Sequence, residues 1–146
     1  MIQSILVPVD GSESSKTALD FACEIALRFD AELSLLHVVE VTDTDEYLFM
    51  GSARVKIPGT HEQNMETGQS IVDAATDIAR QHGCDVKKHQ VVSGSAANAI
   101  LDYAENHSID TIVIGSRGLG NVAGLLLGSV SHKVAHLAKC TCITVR

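Results

Sequence analysis

The sequence predicts an α/β fold: one domain with a doubly wound, five-stranded parallel sheet and helices on both faces, in a Rossmann-like arrangement. The main observation is alternation, because short apolar, β-branched runs are separated by segments with helical spacing along most of the chain. The second is size, since 146 residues with 45% hydrophobic content suit a single domain with a substantial core. Residues 1–146 are therefore treated as one domain without internal repeats.

The first third of the chain predicts a strand, a helix and a second strand. Residues 4–10 form a short apolar run that ends in turn signals, and Ser12 or Ser14 is placed to cap the following helix. Apolar residues then recur at helical spacing as far as Phe29. Residues 31–39 are apolar enough near their end for a strand buried on both faces.

The helix and strand pattern fails in residues 41–60, which contain acids, glycines and Pro58. A stretch of this length without periodicity predicts a long, mobile loop, and such loops are often functional. A short helix at 47–50 remains an alternative, and the acidic cluster of Asp43, Asp45 and Glu46 indicates either a solvated loop or a lid.

The rest of the chain resumes the alternation. The predicted elements are a helix at 61–83, a strand at 85–93, a helix at 95–106, a strand at 109–115, a helix at 129–138 and a strand at 140–146. Gly83 suits a helix C-terminus and Ser95 a helix N-cap. The strand at 85–93 is the most polar one, so we expect it at an edge of the sheet.

Charge and hydropathy exclude several classes of partner. Eighteen acidic residues against 11 basic ones give a net charge of −7, which argues against a nucleic acid or an anionic membrane surface as partner. No basic and apolar leader opens the sequence, and no run approaches the ~20 apolar residues of a membrane helix. We therefore expect a cytoplasmic protein.

The residues that most often hold metals show no complete ligand set. The cysteines are Cys23, Cys84, Cys140 and Cys142, and we expect them as reduced, mostly buried thiols. Cys140 and Cys142 would share one face of a strand, but no second pair of matching spacing supports a metal or redox role. His132 and His136 have a metal-capable spacing without a third ligand, so we expect solvated histidines or a dimer rim. No metal site of the protein's own is predicted.

Five of the chain's 11 glycines lie between residues 115 and 128, directly after a predicted strand. In doubly wound folds ligands bind beyond the carboxyl ends of the strands, where strand order reverses. The P-loop pattern fails here, because Asn121 stands where its lysine is required. The dinucleotide pattern matches Gly118, Gly120 and Ala123, but no acidic residue follows about 20 positions on.

A third pattern, G-x2-G-x9-G-S/T, matches at Gly115, Gly118, Gly128 and Ser129. Glycines without a Cβ allow main-chain amides to approach a ligand closely. The last glycine and the serine begin a helix, whose free amides and dipole attract anions. Arg117 lies between the first two glycines and is a candidate phosphate contact. The pattern predicts a polyphosphate site.

At these residues the sequence resembles the universal stress protein family, in its nucleotide-binding branch. The resemblance covers the whole chain and is carried by "ILVPVDGSESSKTAL", "LLHVVE" and "GSRGLGNVAGLLLGSVSHKVAHLAKC". It implies sheet order 3-2-1-4-5, a homodimer through the C-terminal strand, and ATP between the first and fourth strands, with Mg²⁺. AMP or ADP is an alternative nucleotide. Thr141 departs from the proline common at that position in the family, which bears on the edge strand.

The resemblance also assigns binding residues. Those implied at the adenine and ribose are Pro8, Val9, Asp10 and Val38. Those implied at the ribose and phosphates are Gly115, Ser116, Arg117, Gly118, Gly128, Ser129 and Val130. No catalytic residue is implied.

Three functions are compatible with this sequence. The first is an ATP-binding regulatory or signalling module of the stress response, which acts on an unknown protein client. The second is a slow ATPase, against which stand the absence of a lysine at the phosphates and of a well-placed base. The third is a nucleotide-free structural dimer, which the intact glycine pattern disfavours.

Overall fold

A computed structural model describes residues 1–41, 47–50, 53–56, 60–118 and 127–146. The strands in this part of the chain are β1 (Ser4–Pro8), β2 (Glu32–Glu40), β3 (Tyr47–Met50), β4 (Ala53–Lys56), β5 (Val86–Gly94), β6 (Thr111–Gly115) and β7 (Thr141–Val145). The helices are α1 (Glu13–Phe29), α2 (Thr60–Gln81), α3 (Ala96–Asn106) and α4 (Ser129–Leu137). The predicted helices and main-sheet strands all occur, with ends shifted by a few residues.

The main sheet is parallel and has the order β5-β2-β1-β6-β7. When only these five strands are numbered along the chain, the order is 3-2-1-4-5, which confirms the topology that the resemblance implied. The polar strand β5 lies at an edge, as predicted. β1 pairs with β2 along its whole length, from Ser4 to Pro8. It pairs with β6 only at Ile5 and Leu6. The two central strands therefore part toward their carboxyl ends, at the point where strand order reverses.

The core consists of two layers, one on each face of the sheet. Ile5 and Val7 of β1 pack with α1 and α2, whereas Leu6 between them packs with α3 and α4. This follows from the twofold alternation of side chains along a strand. Because both faces are covered, the central strands are continuous apolar runs, with all three of these residues fully buried.

The cysteines are free thiols that serve this packing. Cys23 of α1 and Cys84 after α2 are buried in the same apolar cluster, and burial raises the pKa of Cys23 to about 12. Cys140 and Cys142 are half-buried against the α3 and α4 layer. Across the described ranges, no helix is long and apolar enough to cross a membrane.

The start of α1 shows which serine caps it. Ser12 is the N-cap, because its Oγ accepts a hydrogen bond from the Ser15 amide at 3.1 Å. Ser14 lies two positions beyond the N-cap, and its hydroxyl accepts a hydrogen bond from another part of the molecule. Ser95 occupies the N-cap position of α3 without a side-chain cap hydrogen bond.

The structure differs from the sequence prediction between β2 and α2. The short helix considered at 47–50 is instead strand β3, which pairs antiparallel with β4. Two residues, Gly51 and Ser52, separate these strands in the sequence, which is the spacing and composition of a β-hairpin turn. They lie outside the described residues, as does the acidic cluster at Asp43. The mobility expected of residues 41–60 stays a prediction.

The helix α2 packs unusually close to the sheet at Gly68. A Cβ there would lie 2.7 Å from Cδ2 of His37 and 2.9 Å from Cγ1 of Val91, so only glycine fits. The Nδ1–H group of His37 donates a hydrogen bond to the carbonyl oxygen of Val9 at 2.7 Å. This contact fixes the chain as it leaves β1.

Candidate functional site

A cleft of about 410 Å³ opens beyond the carboxyl ends of β1 and β6, beside the first turn of α4. Its volume is in the range of small-molecule sites. The sequence-predicted residues that line it are Pro8, Val9, Asp10, Val38, Gly115, Arg117, Gly118, Gly128, Ser129 and Val130. The structure thus brings together residues that are more than a hundred positions apart in the sequence.

Ser116 is the predicted residue that does not line the cleft. It is buried, and its amide donates to the carbonyl of Val145 at 2.7 Å. Its carbonyl accepts two hydrogen bonds, from the Gly128 amide at 2.6 Å and from the Ser131 hydroxyl at 2.9 Å. Ser116 therefore links the end of β6 to the start of α4.

One wall of the cleft is apolar. It contains Leu36 and Val38 from β2, Ile114 from β6, and Ala96 and Ile100 from α3. Sequence reasoning identified only Val38 among them. The contribution of α3 depends on how that helix crosses the sheet, and its sequence shows no more than an ordinary amphipathic pattern. A flat apolar ring is the kind of group such a wall accommodates.

The start of α4 forms another part of the cleft lining. Gly128 is the N-cap and supplies no side-chain cap. The first hydrogen bond of the helix runs from the His132 amide to the Gly128 carbonyl, at 2.9 Å. The amides of Ser129, Val130 and Ser131 therefore have no acceptor within the helix, and they lie at its electropositive end. This arrangement is suited to an anion.

The three motif glycines have different structural roles. A Cβ on Gly115 would lie 2.5 Å from Oγ of Ser14 and 2.7 Å from the Ser14 carbonyl carbon, so this glycine makes room for α1. A Cβ on Gly118 would approach Oδ2 of Asp10 to 3.0 Å, inside the cleft. A Cβ on Gly128 would make ordinary contacts, none closer than 3.5 Å. The sequence pattern predicts one role for Gly115 and Gly118, which the structure separates.

Charged groups at the cleft are few. Asp10 is half-buried, and its Oδ1 accepts a hydrogen bond from the Ser12 amide at 2.9 Å. Glu40 and the exposed Arg117 also line the cleft. Within the described ranges, no three His, Cys, Asp or Glu residues are grouped as a metal site. The rings of His132 and His136 stack 6.4 Å apart on the exposed side of α4.

The family model that matches this chain is that of the universal stress protein family, over residues 1–146. The chain is 34% identical to universal stress protein YxiE of Bacillus subtilis over the full length of both proteins. It is 33% identical to a universal stress protein of Methanocaldococcus jannaschii, covering 83% of that protein. The chain belongs to the universal stress protein family.

Solved structures of the family have the same fold. UspA of Lactobacillus plantarum superposes with a TM-score of 0.72 at 30% identity, covering 99% of this chain and 97% of that one. A universal stress protein in complex with cAMP superposes with a TM-score of 0.73 at 28% identity, again covering 99% and 97%. A protein of Archaeoglobus fulgidus reaches 0.76 at 21% identity over 100% and 99% of the two chains, which concerns the fold alone.

The surroundings of Gly115 and Gly128 predict losses of stability of different size when each glycine is replaced by alanine. Gly115→Ala places a methyl group against main-chain atoms of Ser14, which cannot rotate away, so we expect a loss of about 1–3 kcal/mol in the free energy of unfolding. Gly128→Ala makes only ordinary contacts and exchanges one N-cap for a poorer one, so we expect a loss within about 1 kcal/mol. Urea denaturation measures both. A Gly115→Ala protein as stable as the unmodified one would contradict the close approach of α1.

Proposed function

We propose that the cleft binds ATP and that the protein is a regulatory or signalling module of the stress response. One observation carries this proposal: a single cleft is lined both by apolar side chains and by the amides that begin α4, which have no acceptor within that helix. These two surfaces match the two chemically distinct ends of a nucleotide. A relative 28% identical to this chain has been solved with cAMP, which also combines an adenine, a ribose and a phosphate.

The lining residues suggest how the nucleotide is held. We propose that adenine packs against Val38 and Ile100, and that the carboxylate of Asp10 accepts hydrogen bonds from the ribose hydroxyls. The phosphates then lie toward Gly118 and the amides of Ser129 and Val130. A carboxylate suits hydroxyl donors, and a helix N-terminus suits phosphate oxygens.

The residues that line the cleft could hold Mg²⁺ only together with the phosphates of the nucleotide. Among the described residues that line the cleft, the acids are Asp10 and Glu40. Mg²⁺ commonly combines one or two carboxylates with phosphate oxygens and water. We therefore propose that any Mg²⁺ enters with ATP. Its contribution would be to neutralise phosphate charge.

Binding is favoured over rapid hydrolysis by the same lining. Among the described residues that line the cleft there is no lysine, and Arg117 supplies a cationic side chain. Within the same described lining, no His, Asp or Glu beside the α4 amides stands out as a base for water. We therefore propose a binding protein, with hydrolysis at most slow.

A route for regulation is the segment that follows β2. Glu40, the last residue of β2, lines the cleft, and the chain then enters residues 41–60. We propose that nucleotide occupancy shifts this segment toward binding a protein client in the cytoplasm. Such a shift requires that the nucleotide binds the two states with different affinity.

A substitution at Gly118 tests the site directly. Gly118→Val directs extra methyl groups at Asp10 and into the phosphate path, so we expect ATP affinity to fall about 10-fold or more while the protein stays folded. Isothermal titration calorimetry of ATP with Mg²⁺ measures the affinity, and the thermal unfolding midpoint reports the fold.

Ala135→Val is the control for added bulk, since Ala135 is exposed on α4 and does not line the cleft, and it should bind ATP nearly as well as the unmodified chain. An unmodified protein that binds no adenine nucleotide, and contains none after denaturation, would contradict the proposed function. Normal ATP binding by Gly118→Val would show that the phosphates lie elsewhere.

We propose, second, that the protein is a homodimer joined through β7. This strand is an edge of the main sheet. The Thr141 amide donates to the Asp110 carbonyl on the β6 side, at 3.0 Å. By strand alternation, the main-chain polar groups of Thr144 face outward and are available to a second copy.

Thr144→Pro tests this interface. Proline removes an outward N–H without breaking the ladder with β6, so we expect a monomer with a nearly unchanged thermal midpoint. Light scattering coupled to size-exclusion chromatography gives the mass. A monomeric unmodified protein, or a dimeric Thr144→Pro protein, would contradict the assignment to β7.

A further inference from the structure

The first turn of α1 is in direct contact with the turn that follows β6. The Arg117 amide donates a hydrogen bond to Oγ of Ser14 at 3.2 Å. The absent side chain of Gly115 leaves the space that Ser14 fills, because a Cβ at Gly115 would lie 2.5 Å from the same Oγ. The contact joins residues about a hundred positions apart in sequence.

The serines at the start of α1 divide two tasks. The Ser12 hydroxyl caps the helix, and the Ser15 hydroxyl donates back to the Ser12 carbonyl at 3.0 Å. The Ser14 hydroxyl accepts from the Arg117 amide, outside its own helix. Loss of the Ser14 hydroxyl would therefore leave the cap of α1 intact.

Hydrogen bonds hold the main chain after β6 as far as the Arg117 amide. The preceding residue, Ser116, is held at its amide by Val145 and at its carbonyl by Gly128 and Ser131. The following residue is Gly118, which lacks a side chain to restrict its rotation. The Arg117 N–H and the Ser116 carbonyl belong to one peptide group. Without the bond to Ser14, that peptide is held only at its carbonyl, so the turn that leads into Gly118 has one constraint fewer.

We propose that Ser14 is a positioning residue for the phosphates: its hydroxyl orients the turn from Arg117 to Gly118 that lies beside them. This inference rests on the proposed function, since it concerns the phosphate end of the same ligand. It distinguishes two parts of the nucleotide. Adenosine, which lacks phosphates, should not depend on Ser14, whereas ATP should.

The test compares ATP with adenosine in two serine variants. For Ser14→Ala we expect the dissociation constant of ATP to rise about 3- to 10-fold, the effect of one net hydrogen bond, with that of adenosine unchanged. Ser12→Ala is the control for a purely structural effect. It removes the helix cap, so the thermal midpoint should fall while the ratio of the two dissociation constants stays that of the unmodified protein.

A second readout needs no ligand. Hydrogen exchange of the Arg117 amide, followed by NMR in the nucleotide-free protein, should accelerate in Ser14→Ala and not in Ser12→Ala. An unchanged ATP-to-adenosine ratio in Ser14→Ala, or equal losses for both ligands, would overturn the inference while ATP binding by the unmodified protein still supports the proposed function. No ATP binding by the unmodified protein would overturn both.

Discussion

The candidate site depends on how briefly the two central strands pair. β1 and β6 are neighbours at only two register positions, Ile5 with Thr111 and Leu6 with Ile112. Beyond them, β1 continues along β2, and β6 continues along β7. The helix that follows β1, α1, and the helix that follows β6, α4, pack on opposite faces of the sheet. The resulting crevice is where doubly wound folds bind ligands.

One carbonyl group, that of Ser116, holds the end of β6 against the start of α4. The Ser116 carbonyl accepts from both Gly128 and the buried Ser131, so the end of β6 and the start of α4 cannot separate without leaving buried polar groups unpaired. The first amides of α4 are thereby held at the edge of the cleft.

Much of the fold was predictable from sequence, because the signals for it are local. Strands buried on both faces are continuous apolar runs, helices show their own spacing, and turn residues separate them. The strand order came from the resemblance, as did the assignment of Val38 to the cleft. The hairpin of β3 and β4 was missed because each strand has only four residues, too few to establish a period.

The rest was not predictable because it arises between segments distant in sequence. Nothing near Gly115 indicates that its missing side chain makes room for Ser14. Ile100 lies on an ordinary amphipathic helix, and only the crossing of α3 over the sheet brings it to the cleft. The sequence places Ser131 on the inward face of the first turn of α4. Its hydrogen bonds to the carbonyl oxygens of Ser116 and Gly128 exist only in the folded chain.

The central claim is that main-chain amides beyond β6 and at the start of α4 receive the phosphates of a nucleotide. NMR titration of the ¹⁵N-labelled protein with ATP measures this amide by amide. We predict that the largest shifts occur at Gly118, Ser129 and Val130, and that Gly83, at the far end of α2, does not move. Shifts confined to other surfaces, with the α4 amides unchanged at saturating ATP, would contradict the account.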